Sequence, residues 1–202
     1  MDSGGCISGI FLGPPCSSWS IARHGPPGSS WGPIRSKTHI YGIPNLRCED
    51  KIKVAYGNET MRKCAQILNT AAHIGKIPTA IEQPSSSLLF SAPPIKRLLP
   101  SGHLNTFDMC GYGARWRKRT RIYSWGCSSP LARVALCQGK KGLSSFSSKK
   151  HIELTGKDPA SNCFWTSIAQ SYPQKLAFDI ARMLVDASRE RSVRALLGRN
   201  GL

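Results

Sequence analysis

The chain lacks any run of about 20 apolar residues, the length a helix needs to cross a bilayer. It also opens without the basic stretch and apolar stretch of a secretory signal. A protein with neither feature is expected to be intracellular, nuclear or cytoplasmic. Acidic side chains are scarce: 11 Asp and Glu stand against 28 Lys and Arg, a formal charge of +17. From Met109 to Ile152 there is no acidic residue at all. Such a field attracts phosphate polyanions, so nucleic acid, and DNA first, is the expected partner, and a membrane is not. The eight cysteines, Cys6, Cys16, Cys48, Cys64, Cys110, Cys127, Cys137 and Cys163, include no CxxC pair. That pattern argues against a disulfide framework and for reduced thiols.

With 202 residues the chain can bury one core, and a single unit over residues 1–187 with a basic, flexible tail over 188–202 is expected. Gly9, Ile10, Phe11 and Leu12 form a short apolar run bounded by turn residues, as a buried strand would be. Residues 17–46 are rich in Gly, Pro and Ser and predict a long surface loop. Asn58 can cap a helix whose apolar positions Met61, Cys64, Ala65, Leu68, Ala71 and Ala72 share a face, with Gly75 at its stop. A second strand is predicted over 77–81, ending at Glu82, Gln83 and Pro84. Residues 85–100 suggest a loop with a short helix, 104–109 and 120–125 two more strands, and Pro173 opens a last helix through Leu176, Ile180, Met183 and Leu184. Strands alternating with helices point to an α/β sheet, which gathers ligands at the carboxyl ends of its strands. Cys16 and Glu82 both fall at such ends.

The segment GPPCSSWS, Gly13 to Ser20, sets a thiol on a proline-stiffened loop directly after a strand. A cysteine held there becomes a nucleophile when nearby positive charge stabilises its thiolate. The same residues also suit an ordinary buried thiol, and Glu82 by itself suits a solvated strand end. The cluster Arg115, Arg117, Lys118, Arg119 and Arg121 can grip phosphate without catalysis, and Trp116 among them suits either a stacked base or the core. Cys127, Cys137 and His151 are separated by nine and then thirteen residues. That spacing matches no common zinc pattern and would need Cys163 or another residue as a fourth ligand, so no metal is expected.

GPPCSSWS resembles the Pro-Pro-Cys nucleophile motif of the DNA (cytosine-5) methyltransferases, and three further segments resemble that family's motifs in the same order. IEQP, Ile81 to Pro84, is similar to the Glu-Asn motif. GYGARWRKRTRIY, Gly111 to Tyr123, is similar to a Tyr-Gly segment followed by Arg-x-Arg. IAQSYPQKLAFDIA, Ile168 to Ala181, is similar to the terminal Gly-Asn-Ser-Val-Pro motif. A divergent set associated with phages and mobile elements is closer still, sharing PPC, an Ala-Arg like Ala22 and Arg23, a Gly-x-Pro-x-Leu like Gly42 to Leu46, and a Gly-Asn like Gly57 and Asn58.

The resemblance implies a partial Rossmann-like S-adenosylmethionine-dependent methyltransferase fold that lacks the first strands and has a loop-rich C-terminal portion. It implies Cys16 as the thiolate that attacks carbon 6 of a flipped cytosine. Glu82 would hold and protonate ring nitrogen 3, and Arg119 and Arg121 would grip the base or its phosphate. Pro14, Gln170 and Ser171 fall to the methyl donor, and Ser17, Arg23, Arg115, Arg117 and Lys118 to the nucleic acid.

The sequence departs from the family at Gln83 for Asn, Ala169 for Gly, Gln170 for Asn and Tyr172 for Val. Each change adds bulk where backbone and donor approach closely. The glycine-rich strand and loop that hold the donor have no counterpart ahead of Gly9. A second chain or a further segment is therefore expected to supply the donor site, and the half-sheet is expected to expose an edge and an apolar face. The alternatives to an enzyme are a non-catalytic basic nucleic-acid-binding remnant of a mobile element or, more distantly, a zinc-stabilised basic module.

Overall fold

The computed structural model describes residues 7–20, 32–74, 76–127, 131 and 135–199. Four strands form one mixed sheet: β1 (Ile10–Leu12), β2 (Thr79–Pro84), β3 (His103–Asp108) and β4 (Arg119–Trp125), in the order β1-β2-β4-β3. β1 and β2 run parallel, and β4 is inserted antiparallel between β2 and β3. The chain is thus an α/β protein with an open sheet. Among the described residues the outer edge of β1 pairs with nothing.

β2 is one of the two inner strands and is buried along its whole length. Alternation across the pleat sends its side chains to two different cores. Ile81 joins Trp19, Met61, Leu68, Leu89, Ile95 and Trp125 on one face. Ala80 joins Phe107, Met109, Ile122, Leu176, Ile180 and Met183 on the other. The first face is covered by α1 (Cys48–Leu68) and the short α2 (Pro93–Lys96), the second by α4 (Gln174–Arg199) and the segment after β3; α3 (Trp165–Ile168) is a single turn before α4.

Several boundaries differ from expectation. α1 begins ten residues before Asn58, at Cys48, and passes into a π-helical stretch over Asn69–Ile74. Asn58 does not cap it. Its Oδ1 accepts a hydrogen bond from Arg35 Nη1 at 2.7 Å and its Nδ2 donates to the carbonyl of Tyr41 at 3.0 Å. α4 runs on to Arg199, so residues 188–199, expected as a tail, are helical. The segment expected over the surface at 17–46 is partly interior, with Trp19, Ile34 and Arg35 each at most 3% exposed.

Arg35 explains that burial. Its guanidinium donates to the carbonyls of Ser18, Ile40 and Val54, to Asn58 Oδ1 and to Ser18 Oγ, and lies 3.6 Å from the centre of the Trp19 ring. Burial pulls its pKa down to about 10. A buried cation held by neutral acceptors is tolerated only when its donors are satisfied. Glycine at position 57 makes the room, because a Cβ there would collide with Ser18 Oγ and lie 2.8 Å from Arg35 Nη2. Gly57 therefore sits in mid-helix at a propensity cost of about 1 kcal/mol. Gly57→Ala should nevertheless lower stability, by about 2 kcal/mol, through overpacking. Urea denaturation reads this directly, and a variant as stable as the parent would contradict the account of the Arg35 anchor.

Candidate active site

β1 ends at Leu12, and Gly13, Pro14 and Pro15 lead directly to Cys16, whose carbonyl accepts the amides of Trp19 at 3.0 Å and Ser20 at 2.8 Å. Cys16 stands at the head of this tight turn, half-buried. The loop is sewn to the end of β2. Gln83 Nε2 donates to the carbonyl of buried Pro14 at 2.6 Å, while Gln83 Oε1 accepts from Ser87 Oγ at 2.9 Å. Ser20 bridges Ser87, and the amide of Leu88 donates to the carbonyl of Trp19 at 2.9 Å. The side chain at 83 thus fixes where the thiol stands.

Glu82, the neighbour of Gln83, points to the opposite face of β2 and is 5% exposed. Its Oε2 accepts a hydrogen bond from the Tyr172 hydroxyl at 2.9 Å. Its Oε1 is buried and has no partner among the described residues. Burial pushes the carboxyl pKa up, against the opposing charge of Lys118 and the hydrogen bond from Tyr172. The Cys16 thiol is also raised, by burial first, with Lys118 lowering it and Glu82 raising it. Tyr172 is raised by burial and by the charges of Glu82 and Cys16. Cys16, Glu82, Lys118 and Tyr172 therefore lie near enough to feel one another's charge, with Cys16 and Glu82 at the carboxyl ends of neighbouring parallel strands.

The expected arginines are placed differently. Cross-strand register pairs Arg121 with Gln83 and Ile122 with Glu82. Paired residues share a face, so Arg121 and Arg119 belong to the face away from Glu82. Arg119 is held at β3 instead: its Nε and Nη2 donate to Asp108 at 3.1 and 3.2 Å. Arg117 reaches the same carboxylate at 3.4 Å and the carbonyl of Cys137 at 2.8 Å. Asp108 is fully buried. Burial alone would raise its pKa, but Arg119, the Cys137 amide and Arg117 hold it below the usual carboxylate range. The cation that faces the cleft is Lys118, assigned from sequence to the nucleic acid; its Nζ also donates to the carbonyl of Ala169 at 3.3 Å. Arg121 Nε is buried and has no partner among the described residues.

Of the remaining expected residues, Ser17 and Arg115 are exposed and open to a ligand, whereas Trp116 packs partly against the second core. Arg23 lies outside the described residues. The donor-binding assignments fit poorly. The Pro14 carbonyl is consumed by Gln83, and Gln170 and Ser171 are exposed. Tyr172 fills the space beside them, edge-on to Phe11 with ring centres 5.6 Å apart, and its hydroxyl lies 2.8 Å from where a Cβ of Gly13 would be. These residues do not by themselves make a site for S-adenosylmethionine.

Sequence reasoning missed Lys118 as a cleft residue and Tyr172 as the partner of Glu82. The period of two along β4 would have pointed to Lys118, which shares a face with Thr120 and Ile122. For Tyr172 the only signal was its departure from the family motif. No family model matches the chain, nor does any curated protein or solved structure.

The raised Glu82 pKa carries a stability consequence. The folded protein binds this proton more tightly than the unfolded chain, whose glutamates titrate near about 4.3. The stability linked to that proton is fully present below the unfolded value and is lost as pH rises through the folded one. Glu82→Gln should therefore melt higher than the parent at pH 8, with the advantage shrinking to nothing as pH falls toward that of the unfolded carboxyl. A melting difference that does not vary with pH would contradict the assignment.

Proposed function

We propose that the protein is a DNA cytosine-5 methyltransferase-like enzyme whose described residues form the half that binds and activates the target base. One observation carries this reading. Among the described residues the buried Oε1 of Glu82 has no partner, and the half-buried thiol of Cys16 is near enough to feel its charge. A buried carboxyl oxygen without a donor is costly in the free protein, and the exocyclic amine and protonated nitrogen 3 of an extruded cytosine supply the donors it lacks. The sheet, a parallel pair followed by an inserted antiparallel strand, is compatible with the later half of a Rossmann-like methyltransferase sheet. The charge of +17 provides the attraction for the duplex.

Cytosine carbon 5 is a weak nucleophile. In the proposed step the Cys16 thiolate, its proton passed to solvent, bonds to carbon 6. The electron pair of the 5,6 double bond shifts to form a 4,5 double bond, and the pair displaced from the 3,4 double bond takes the Glu82 proton at nitrogen 3. Carbon 5, now the carbon of an enamine, accepts an electrophile; its hydrogen then leaves to solvent as a proton, the 5,6 double bond re-forms as the sulfur departs as thiolate, and nitrogen 3 returns its proton to Glu82. Lys118 stabilises the thiolate, and its attraction grows in the water-excluded site that a bound base creates. The base must leave the stack first, because carbon 6 is unreachable inside a duplex.

A second reading is favoured by a different observation. Tyr172 already occupies Glu82 Oε2, and Arg119 is committed to Asp108, as suits a basic nucleic-acid-binding remnant of a mobile element without catalysis.

Solvent exchange at carbon 5 separates the two readings, because it needs thiol addition and no donor. DNA tritiated at cytosine carbon 5 should release tritium to water in the presence of the protein. Cys16→Ser should abolish the release, and Glu82→Gln should slow it on the order of 100-fold or more. Salt-dependent DNA binding with no release from the parent protein would leave the remnant reading.

A further inference from the structure

Away from the Cys16 cleft, three ligand-type side chains from distant parts of the chain converge at the far end of β3. The sulfurs of Cys110 and Cys137 and a ring nitrogen of His151 all lie within 4.8 Å of one another. Cys137 Sγ and His151 Nε2 are 3.8 Å apart. Both cysteines are buried and His151 is half-buried. Tetrahedral zinc, with bonds of about 2.3 Å to sulfur and about 2.0–2.1 Å to nitrogen, needs neighbouring ligand atoms about 3.5–3.8 Å apart. The three side chains are therefore within about 1 Å of that arrangement.

The Cys137 sulfur is surrounded by hydrogen-bond donors. It accepts the Ser145 amide at 3.4 Å and the Ser145 hydroxyl at 3.6 Å. The turn that delivers these groups is closed by its own backbone: Ser144 N donates to the Lys149 carbonyl at 2.8 Å and His151 N to the Gly142 carbonyl at 2.7 Å. Gly139 permits the close approach, since a Cβ there would collide with the Leu143 carbonyl. Hydrogen bonds of this kind orient metal ligands and set their basicity.

We propose that Cys110, Cys137 and His151 bind a zinc ion whose fourth ligand is water. Two thiolates and an imidazole select a soft or borderline divalent ion over magnesium or calcium. Asp108, whose charge is felt at Cys110, is not a fourth ligand because its oxygens are committed to Arg117, Arg119 and the Cys137 amide. The ion staples residues 137–151 onto the turn after β3 and so holds the Cys137 carbonyl where Arg117 needs it. The ligand set is not the one the sequence suggested: Cys110 takes the place of Cys127, and Cys163 is exposed and outside the cluster.

The full chain, purified under reducing conditions without chelator or metal-affinity steps, should carry a single zinc by plasma mass spectrometry. Cobalt added to the stripped protein should give a visible tetrahedral spectrum and a near-ultraviolet thiolate charge-transfer band. Cys110→Ser, Cys137→Ser and His151→Ala should lose the metal, whereas Cys48→Ser and Cys163→Ser keep it. His151→Cys should retain cobalt with a stronger charge-transfer band, so the test survives if the other variants misfold. Ser145→Ala should weaken zinc binding about tenfold. A metal-free parent chain that gives no cobalt band, or a Cys110–Cys137 disulfide formed under reducing conditions, would overturn the proposal.

Discussion

The side chain of Gln83 holds the carbonyl of Pro14 at 2.6 Å inside the protein, and the rest of the site depends on that contact. β2 is buried on both faces, so consecutive residues serve opposite sides of the sheet. Gln83 turns to the α1 side and fixes the loop that carries Cys16. Glu82, one residue earlier, turns to the α4 side and meets Tyr172. A one-residue slip of this strand would exchange the two roles, which is why its register has to be tightly specified. Pairing over six consecutive residues with β4 and three with β1 specifies it.

Two buried ionic anchors frame this centre from opposite sides. Arg35 ties the segment after the nucleophile loop to α1 through Ser18, Val54 and Asn58. Asp108 ties the end of β3 to the start of β4 and to the Cys137 segment. Breaking such a group by removing one member leaves an uncompensated polar atom, so each anchor supplies definition of position more than net stability. Together they explain how a chain rich in Gly, Pro and Ser between its elements still presents defined side chains at the cleft.

Much of this was legible in the sequence. The four strands were visible because short apolar runs are punctuated by Gly and Pro, and Cys16 and Glu82 were visible because each follows such a run. The start of α1 was not, because the buried positions of residues 48–57 are Asp50, Val54 and Gly57 while Ile52 and Tyr56 face solvent, and Arg47 makes no side-chain cap. The fate of Arg119 was hidden for another reason: its partner Asp108 is defined only by the register of β3 on β4. Buried Arg35 breaks the expectation that a basic residue in a polar loop faces water. Cys137 and His151 were already grouped from the sequence, but with Cys127; Cys110 was missed because no local spacing joins it to residues that only the tertiary fold brings near.

Whether the cleft takes an extruded pyrimidine is tested most directly by an experimental structure of the protein with a duplex containing cytosine. The account predicts one cytosine out of the stack, its amine on Glu82 Oε1 and its carbon 6 facing the Cys16 sulfur. A duplex bound along Arg115 and its neighbours with every base stacked, and Glu82 Oε1 still without a partner, would contradict it.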